Sequence, residues 1–281
     1  EHPDRDDSWA EAEKSRIGEE RFRREHECEF LIFDETLINS ITLADMEGVP
    51  PVETTGQVRW FKRPTPGHTY LVSLDPSMGT GGDYAAIQIF ELPTFEQIGE
   101  WHHNQTPMNQ QVRILQGINK HIHDTIMEKD STATPQIFYS MENNTIGEAA
   151  LMRVMDIGEE NIMGMFLSEP IRKGHRRKFR RGFNTTAKHK IDACTKFKEL
   201  VEGGKMKINS QLLISEMKDF VASGLSYKAK PGQHDDLVSS CLLMTRMMKV
   251  LADFDPKIFE KWTDRTSELT TPMPIFGNFY G

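Results

Sequence analysis

Short apolar runs that follow one another at close spacing constrain this sequence most. Residues 70–74, 85–92 and 97–102 each have the pattern of a strand, and the segments between them are short enough to be turns. We expect these strands to form an antiparallel meander. Apolar side chains at helical spacing follow over residues 107–127, and another strand is predicted at 136–141. A long helix between two strands is typical of a parallel connection in an α/β fold.

The second half of the sequence continues to alternate helices with strands. The predicted elements are a helix near 147–155, a strand near 162–166, helices at about 188–201 and 210–222, a strand at 225–229 and a last helix at roughly 234–251. The predicted fold class is therefore α/β. We expect a mixed sheet, antiparallel in its first three strands and parallel after them, that is flanked by helices.

The chain is predicted to have three regions. Residues 1–66 have the character of a linker, because a charge-rich helix at 7–28 is followed by an irregular stretch with prolines and glycines at 42–66. We expect the folded domain at 67–252, where the other predicted elements lie. Residues 253–281 show little periodicity, which indicates a flexible or docking tail.

Composition argues against several classes of protein. The 281-residue chain has no run of about 18 apolar residues, and its first residues lack the apolar stretch of a signal peptide. We therefore expect neither a membrane span nor secretion. The net charge of −8 argues weakly against nonspecific coating of nucleic acid, although it can hide a local basic face. Widely spaced cysteines disfavour a disulfide framework or structural zinc and favour a reducing cytosol; they are Cys28, Cys194 and Cys241.

The loop "DPSMGTGGD", residues 75–83, allows three roles: a phosphate cradle, a metal ligand or a plain turn. Its glycines expose backbone N–H groups that suit an anion, but the sequence has no P-loop and the loop does not fit GxGxxG. No glutamate stands at the twelfth position from Asp75, which excludes an EF-hand. Taken alone, Asp75 is more often a turn-forming residue than a ligand.

Acidic residues stand at three places that such a fold brings to one edge. Asp75 and Glu142 each end an apolar strand, and the carboxyl ends of strands are where open α/β sheets bind ligands. The segment "HDDLV" begins the last helix. One aspartate of the pair Asp235 and Asp236 is expected to cap this helix, whereas the other is not needed for capping. If the helix abuts the two strands, three or four carboxylates converge.

Converging carboxylates favour bound cations. Like charges in one site raise pKa values and oppose folding unless a cation neutralises them. Oxygen-only ligands favour Mg²⁺ or Mn²⁺, and two such ions can activate water and stabilise the leaving oxygen of a phosphodiester. The acids therefore favour a metal-dependent nuclease site formed by Asp75, Glu142 and at least one of Asp235 and Asp236. His234 is the one histidine close enough to these acids in the sequence to help position water.

Residues 172–190, "RKGHRRKFRRGFNTTAKHK", contain no acid and interleave two phenylalanines with basic side chains. By itself such a run is as often a solvated face as a binding surface. Next to a carboxylate crevice in an acidic chain, it favours contact with the phosphate backbone of DNA, with little sequence specificity. The predicted DNA-binding residues are Arg172, Lys173, Arg176, Arg177, Lys178, Arg180, Arg181, Lys188 and Lys190.

Three segments in order carry the acid pattern of RNase H-like nucleases: "LDPSMGTGGDYAAIQI", "YSMENNTIGEAAL" and "HDDLVSSCLL". With the charged segment ahead of them, they resemble the large terminase subunit of T-even-type tailed bacteriophages over nearly the whole chain. The resemblance implies an RNase H-like nuclease domain that cuts concatemeric double-stranded viral DNA during genome packaging. It also implies metal binding by Asp75, Glu142 and Asp236, with Asp83 as an accessory acid and Asp235 as a cap or second ligand.

The resemblance also implies a setting. The family joins a packaging ATPase to the nuclease, and because this chain has no P-loop lysine motif, residues 1–66 resemble the end of the ATPase-side segment. The basic segment falls where the family has a DNA-contacting hairpin, and the tail after about residue 253 would be flexible or dock onto the portal. The implied partners are DNA, the portal protein and the small terminase subunit, at the procapsid portal in the host cytoplasm.

Three alternatives stay open on the sequence alone. An actin- or hexokinase-like nucleotide-binding domain has a related sheet and an aspartate with a glycine-rich turn, but it needs a second phosphate loop, which "SMENNTIGEAAL" matches poorly. A noncatalytic module that docks DNA and the portal would not need the intact acid set. A junction resolvase is the nearest enzymatic alternative, distinguished by a preference for branched DNA.

Overall fold

The computed structural model describes residues 7–17, 22, 26, 35–170 and 181–254. Its helices are α1 (Asp7–Ile17), α2 (Ser40–Asp45), α3 (Met108–Lys129), α4 (Thr145–Ile157), α5 (Ala187–Glu202), α6 (Gln211–Asp219) and α7 (Asp236–Phe254). Its strands are β1 (Glu53–Thr55), β2 (Val58–Trp60), β3 (Thr69–Asp75), β4 (Ala85–Leu92), β5 (Glu96–His103), β6 (Gln136–Met141), β7 (Met165–Phe166), β8 (Phe220–Ser223) and β9 (Ser226–Ala229).

Seven strands form one mixed sheet in the order β1-β2-β5-β4-β3-β6-β7. β3, β4 and β5 pair antiparallel, and β6 pairs parallel with β3 on its other side. The parallel pair arises because α3 carries the chain back across the sheet between β5 and β6. The predicted mixed sheet, a meander that continues into parallel strands, is confirmed. β8 and β9 form a separate hairpin.

Helices cover both faces of the sheet, so its central strand is buried on both sides. In β3, Val72 and Leu74 face one hydrophobic cluster, and Leu71 faces the other. α5, α6 and α7 pack on the Leu71 face. α3 packs on the opposite face through a stripe at helical spacing: Val112, Leu115, Ile118, Ile122 and Ile126.

Most of the predicted elements agree with the structure, but the helix predicted at 210–222 is wrong at its end. α6 stops at Asp219, and the next four residues form β8. The chain then turns through Gly224, which has a left-handed backbone (φ 61°), and returns as β9. The strands predicted at 85–92 and 136–141 have the observed bounds.

The strand predicted at 162–166 is shorter than expected. Met165 and Phe166 pair with β6, whereas residues Glu159–Asn161 form a 3₁₀ turn. Gly164 has a left-handed backbone (φ 104°), and a Cβ there would stand 2.6 Å from the carbonyl oxygen of Ile137. The chain therefore reaches β6 through a bend that favours glycine.

The stretch at 42–66, predicted to be irregular, contains regular structure. It includes most of α2 and the short strands β1 and β2, and β2 pairs with β5 to extend the sheet. The expectation of irregular chain is wrong there, whereas the division of the chain at residue 66 stays a prediction. α1 covers the first part of the helix predicted at 7–28. Most of the remainder of that helix, and the tail after 254, lie outside the described residues.

Cys194 and Cys241 are buried free thiols. Burial raises the pKa of both, which suits packing rather than reactivity. Cys28 lies outside the described residues. Over the described parts of the chain, no helix is both long and apolar enough to cross a bilayer.

Candidate active site

Asp75 and Glu142 lie side by side at one edge of the sheet. The parallel pairing of β3 with β6 stays in register as far as Leu74 and Met141, so the last residue of β3 and the first residue after β6 are both acidic. The N–H of Glu142 donates to the carbonyl of Leu74 at 3.1 Å and continues the ladder. The carboxyl group of Glu142 is close enough to that of Asp75 to raise its pKa. The structure thus brings these two predicted residues together.

The start of α4 holds Glu142 in place. Asn144 Nδ2 donates to Glu142 Oε2 at 3.0 Å, and Asn144 Oδ1 accepts from the N–H groups of Ile146 and Gly147. One asparagine therefore caps the helix and orients the acid. Glycine is required at position 147, because a Cβ there would overlap the carbonyl oxygen of Glu142.

Asp236 reaches the same edge on the first turn of α7. Ser240 follows it by about one helical turn and hydrogen-bonds with Ser73 of β3, with 2.8 Å between the two buried Oγ atoms. Ser73 precedes Asp75 by two residues, so their side chains leave β3 on the same face. The N–H of Tyr84 donates to Asp236 Oδ2 at 3.4 Å and ties this acid to the end of the glycine-rich loop.

The negative charges of the three acids repel one another. Burial raises the pKa of Asp75 well above its usual range, and the charges of Glu142, Asp236 and Asp235 raise it further. Burial and the neighbouring Asp235 raise the pKa of Asp236 to about 6, although the N–H of Tyr84 opposes the shift. The edge therefore carries unbalanced negative charge whenever these groups ionise.

The donor set suits a hard cation. The available ligands are carboxylate oxygens, which Mg²⁺ and Mn²⁺ prefer. A cation bound between Asp75 and Glu142 would offset the repulsion that raises the pKa of Asp75. Within the described ranges, no three or more His, Cys, Asp or Glu side chains are placed to hold a metal ion together. Asp236 therefore has to turn from Tyr84 toward the pair for all three acids to share cations.

A model of the terminase RNaseH-like domain family matches residues 72–247, which include Asp75, Glu142 and Asp236. The chain belongs to this family. The resemblance predicted from the three motifs is confirmed at this level, while the narrower assignment to T-even-type phages stays a prediction.

Solved structures of terminase nucleases share the fold of this terminase domain. The large terminase nuclease from thermophilic phage G20c with bound magnesium has a TM-score of 0.55 at 17% identity, and the match covers 76% of this chain and 97% of that one. The large terminase nuclease domain of Thermus phage P74-26 has a TM-score of 0.51 at 17% identity, with 72% and 90% covered. The likeness supports the predicted RNase H-like fold.

The two predicted accessory acids differ in their surroundings. Asp83 is exposed on the glycine-rich loop, and its charge contributes to the raised pKa of Asp236. Asp235 accepts from the N–H of Ala229 at 3.3 Å and lies 3.9 Å from Lys190 Nζ. The side chains of Asp235 and Asp236 both bond to groups outside α7, so the expected capping by one of them is wrong. Metal binding by Asp83 or Asp235 stays a prediction.

Aromatic rings border the acids near the start of α7. His234 Nδ1 lies 3.6 Å from Asp236 Oδ2, and the His234 ring meets Tyr84 edge-on with centroids 4.9 Å apart. Tyr84 also stacks on His102, with centroids 4.1 Å apart. His234 is therefore placed beside an acid, and its role in positioning water stays a prediction.

Arg181 is the first described residue of the basic segment. It pairs with Glu159 and lies over the ring of Phe166, 5.4 Å from the centroid, so its charge has a partner within the domain. Six predicted DNA-binding residues lie outside the described chain: Arg172, Lys173, Arg176, Arg177, Lys178 and Arg180.

A pocket beside the acids carries basic groups from α5 and α7. Arg246 lines it and also bonds to Glu169 and to Thr185 Oγ1, the latter at 2.9 Å, which holds the segment before α5 against α7. Lys188 is exposed on the first turn of α5. The pocket is lined by Asp75, Glu142, His189, Lys190 and Arg246, among others.

Two largely buried polar side chains next to the candidate site were not predicted from the sequence. Gln111 of α3 is buried, donates to the carbonyls of Ser77 and Thr106, and accepts from the N–H of Ser77. It therefore fixes the loop that follows Asp75. The second is Glu216 of α6, whose Oε2 accepts from the N–H of Val238 in the first turn of α7 at 3.1 Å. Each lies on a buried face of its helix, and a polar residue in an apolar stripe was the signal available in the sequence.

We predict that Gly79→Ala distorts the loop after Asp75. Gly79 has a left-handed backbone (φ 69°), and a Cβ there would overlap the carbonyl oxygen of Thr106. The left-handed conformation alone costs an alanine about 1–2 kcal/mol, so the urea midpoint should fall. Gly82→Ala is the matched control, since nothing lies within 4 Å of a Cβ there. Equal midpoints for the two variants would contradict this account of the loop.

Proposed function

We propose that this chain is the nuclease part of a large terminase and hydrolyses phosphodiester bonds of double-stranded DNA with Mg²⁺ or Mn²⁺. The carrying observation is the meeting of Asp75, Glu142 and Asp236 at one edge of the sheet in a chain of the terminase RNaseH-like family. The G20c nuclease structure with bound magnesium supports the choice of cation.

Each acid of the candidate site has its own proposed role. Asp75 and Asp236 would hold the cations, and Glu142 would hold one of them while Asn144 fixes its other oxygen. Two bound divalent cations activate water and stabilise charge on the leaving oxygen of a phosphodiester. Positive charge at this edge would also lower the raised pKa values of Asp75 and Asp236.

DNA would approach over the basic groups near α5. Lys188 and Lys190 stand at the start of this helix, and Lys190 lines the pocket beside Asp75 and Glu142. Contacts to phosphates position DNA without reading bases, which supports cleavage with little sequence specificity. The basic side chains at 172–180 would add to the positive charge that DNA meets.

The biological substrate we propose is concatemeric viral DNA, cut during genome packaging. The family of the chain supports this role. The portal protein and the small terminase subunit would be the protein partners, and the place of action would be the procapsid portal in the host cytoplasm. Residues 1–66 would belong to the ATPase-side segment, and the tail from residue 253 would be a flexible segment or one that docks onto the portal.

Asp75→Asn should reduce Mg²⁺- and Mn²⁺-dependent plasmid cleavage by at least about a hundredfold, because removing a metal ligand takes away several kcal/mol of transition-state stabilisation. Asp156→Asn, at an exposed acid of α4, is the matched control and should cut like wild type. Gel-resolved cleavage rates test both, with thermal unfolding as a check of folding. Undiminished cutting by purified Asp75→Asn would exclude this site.

Cleavage, DNA binding and thermal stabilisation together separate the alternatives. Fragments with heterogeneous ends are expected from weak sequence preference. A strong preference for branched DNA would favour a junction resolvase, and DNA binding without metal-dependent nicking would favour a docking module. Thermal stabilisation by ATP, with none by Mn²⁺ alone, would favour a nucleotide-binding domain.

The double variant Lys188→Ala, Lys190→Ala should bind DNA more weakly and with a smaller dependence on salt. Removing one lysine–phosphate interaction makes the slope of log affinity against log salt shallower by about 0.9. Lys249→Ala, at an exposed lysine later in α7, is the control and should leave the slope unchanged. Fluorescence anisotropy at several salt concentrations measures both. A double variant with the wild-type slope would rule out phosphate binding by this pair.

A further inference from the structure

Glu216 of α6 caps α7 from outside that helix. Its Oε2 accepts from the N–H of Val238, two residues after Asp236, at 3.1 Å. The first N–H groups of a helix have no partner within the helix, so a carboxylate here satisfies one of them. The Glu216 side chain is only 10% exposed, which shelters the contact from water.

The second oxygen of Glu216 faces the rings that border Asp236. Glu216 Oε1 lies 3.7 Å from Nε2 of His102, a buried nitrogen with no hydrogen-bond partner in the described chain. His102 stacks on Tyr84, and the N–H of Tyr84 donates to Asp236 Oδ2. Glu216 thus bonds to the α7 backbone two residues after Asp236, and its other oxygen lies beside the stacked rings that border Asp236.

Glu216 lies where an ionised carboxyl group is energetically unfavourable. Its neighbours on α6, Leu213, Ile214 and Met217, are buried in the core. Asp236 and Asp235 are close enough to disfavour its charge further. Burying an acid beside other acids costs free energy, and the contact with α7 is what offsets this cost.

We propose that Glu216 is a positioning residue that sets where Asp236 stands relative to Asp75 and Glu142. This inference rests on the proposed function, because it takes these three acids to be the metal ligands. Losing an outer-shell partner of a metal ligand typically weakens metal affinity or activity by about 10- to 100-fold. Glu216 acts as such a partner through the backbone N–H of Val238, two residues after Asp236. The Mn²⁺ concentration at half-saturation is therefore the quantity that Glu216 should control.

Three substitutions of Glu216 test this role. Glu216→Ala removes the acceptor, Glu216→Asp withdraws it by one methylene, and Glu216→Gln keeps an acceptor oxygen at the same reach. The first two should raise the half-saturating Mn²⁺ concentration by about tenfold or more, and the third should stay within about twofold of wild type. Electron paramagnetic resonance of free Mn²⁺ measures binding, and plasmid cleavage against Mn²⁺ concentration measures activity.

Glu202→Ala provides the matched control. Glu202 also accepts a backbone N–H from outside at the start of a helix, that of Asn39 before α2, at 2.7 Å. Its removal should lower the melting temperature without changing the half-saturating Mn²⁺ concentration. Melting temperatures of all variants are measured alongside. If Glu216→Ala does not fold, the comparison of Glu216→Asp with Glu216→Gln decides.

The outcomes separate this inference from the proposed function. Wild-type Mn²⁺ dependence in folded Glu216→Ala or Glu216→Asp, with cutting intact, would overturn the role of Glu216 alone. Failure of both variants to fold would also overturn it, because Glu216 would then be a residue for stability. A wild type that neither binds Mn²⁺ nor cuts DNA would overturn the proposed function, and the inference with it.

Discussion

The parallel pairing of β3 with β6 places two acidic side chains next to one another at the end of the sheet. A slip of one residue would turn one of these acids, Asp75 or Glu142, to the opposite face. The buried contact between Ser73 and Ser240 then fixes α7 across β3 and brings Asp236 to the same edge. The register of one strand pair and the docking of one helix therefore determine the candidate site.

Electrostatic repulsion at this edge connects the fold to the proposed chemistry. Desolvation and the like charges of Glu142, Asp236 and Asp235 disfavour ionisation of Asp75. Asp236 is directed to the N–H of Tyr84 and is anchored through the first turn of α7. A divalent cation bound by Asp75 and Glu142 would offset their repulsion. Asp236 would then turn from Tyr84 toward the cation. The arrangement suits a site that is completed by its metal.

Much of this could be predicted from the sequence because the signals are local. Asp75 and Glu142 each follow an apolar run directly, and Asp236 opens an apolar helix. The end of α6 could not be found from periodicity, since Phe220 and Val221 continue the apolar spacing of the helix and only pairing with β9 makes them a strand. β1 and β2 are three residues each, too short to show an alternation.

Gln111 and Glu216 could not be predicted from the sequence, for a different reason. Gln111 and Glu216 act on loops and helices far from them in the chain, so nothing near them in the sequence indicates their partners. Their one local signal is a polar side chain on a buried helical face, which also occurs wherever a core contains a satisfied polar group. Only the packing of α3 under the glycine-rich loop, and of α6 against α7, gives these residues a role.

The most direct test of the central claim is anomalous X-ray diffraction from crystals of the chain soaked in Mn²⁺. The account predicts manganese peaks bound by carboxylate oxygens of Asp75, Glu142 and Asp236, with two ions about 3.5 to 4 Å apart. Manganese bound elsewhere, with none at Asp75, Glu142 and Asp236, would contradict the proposed site.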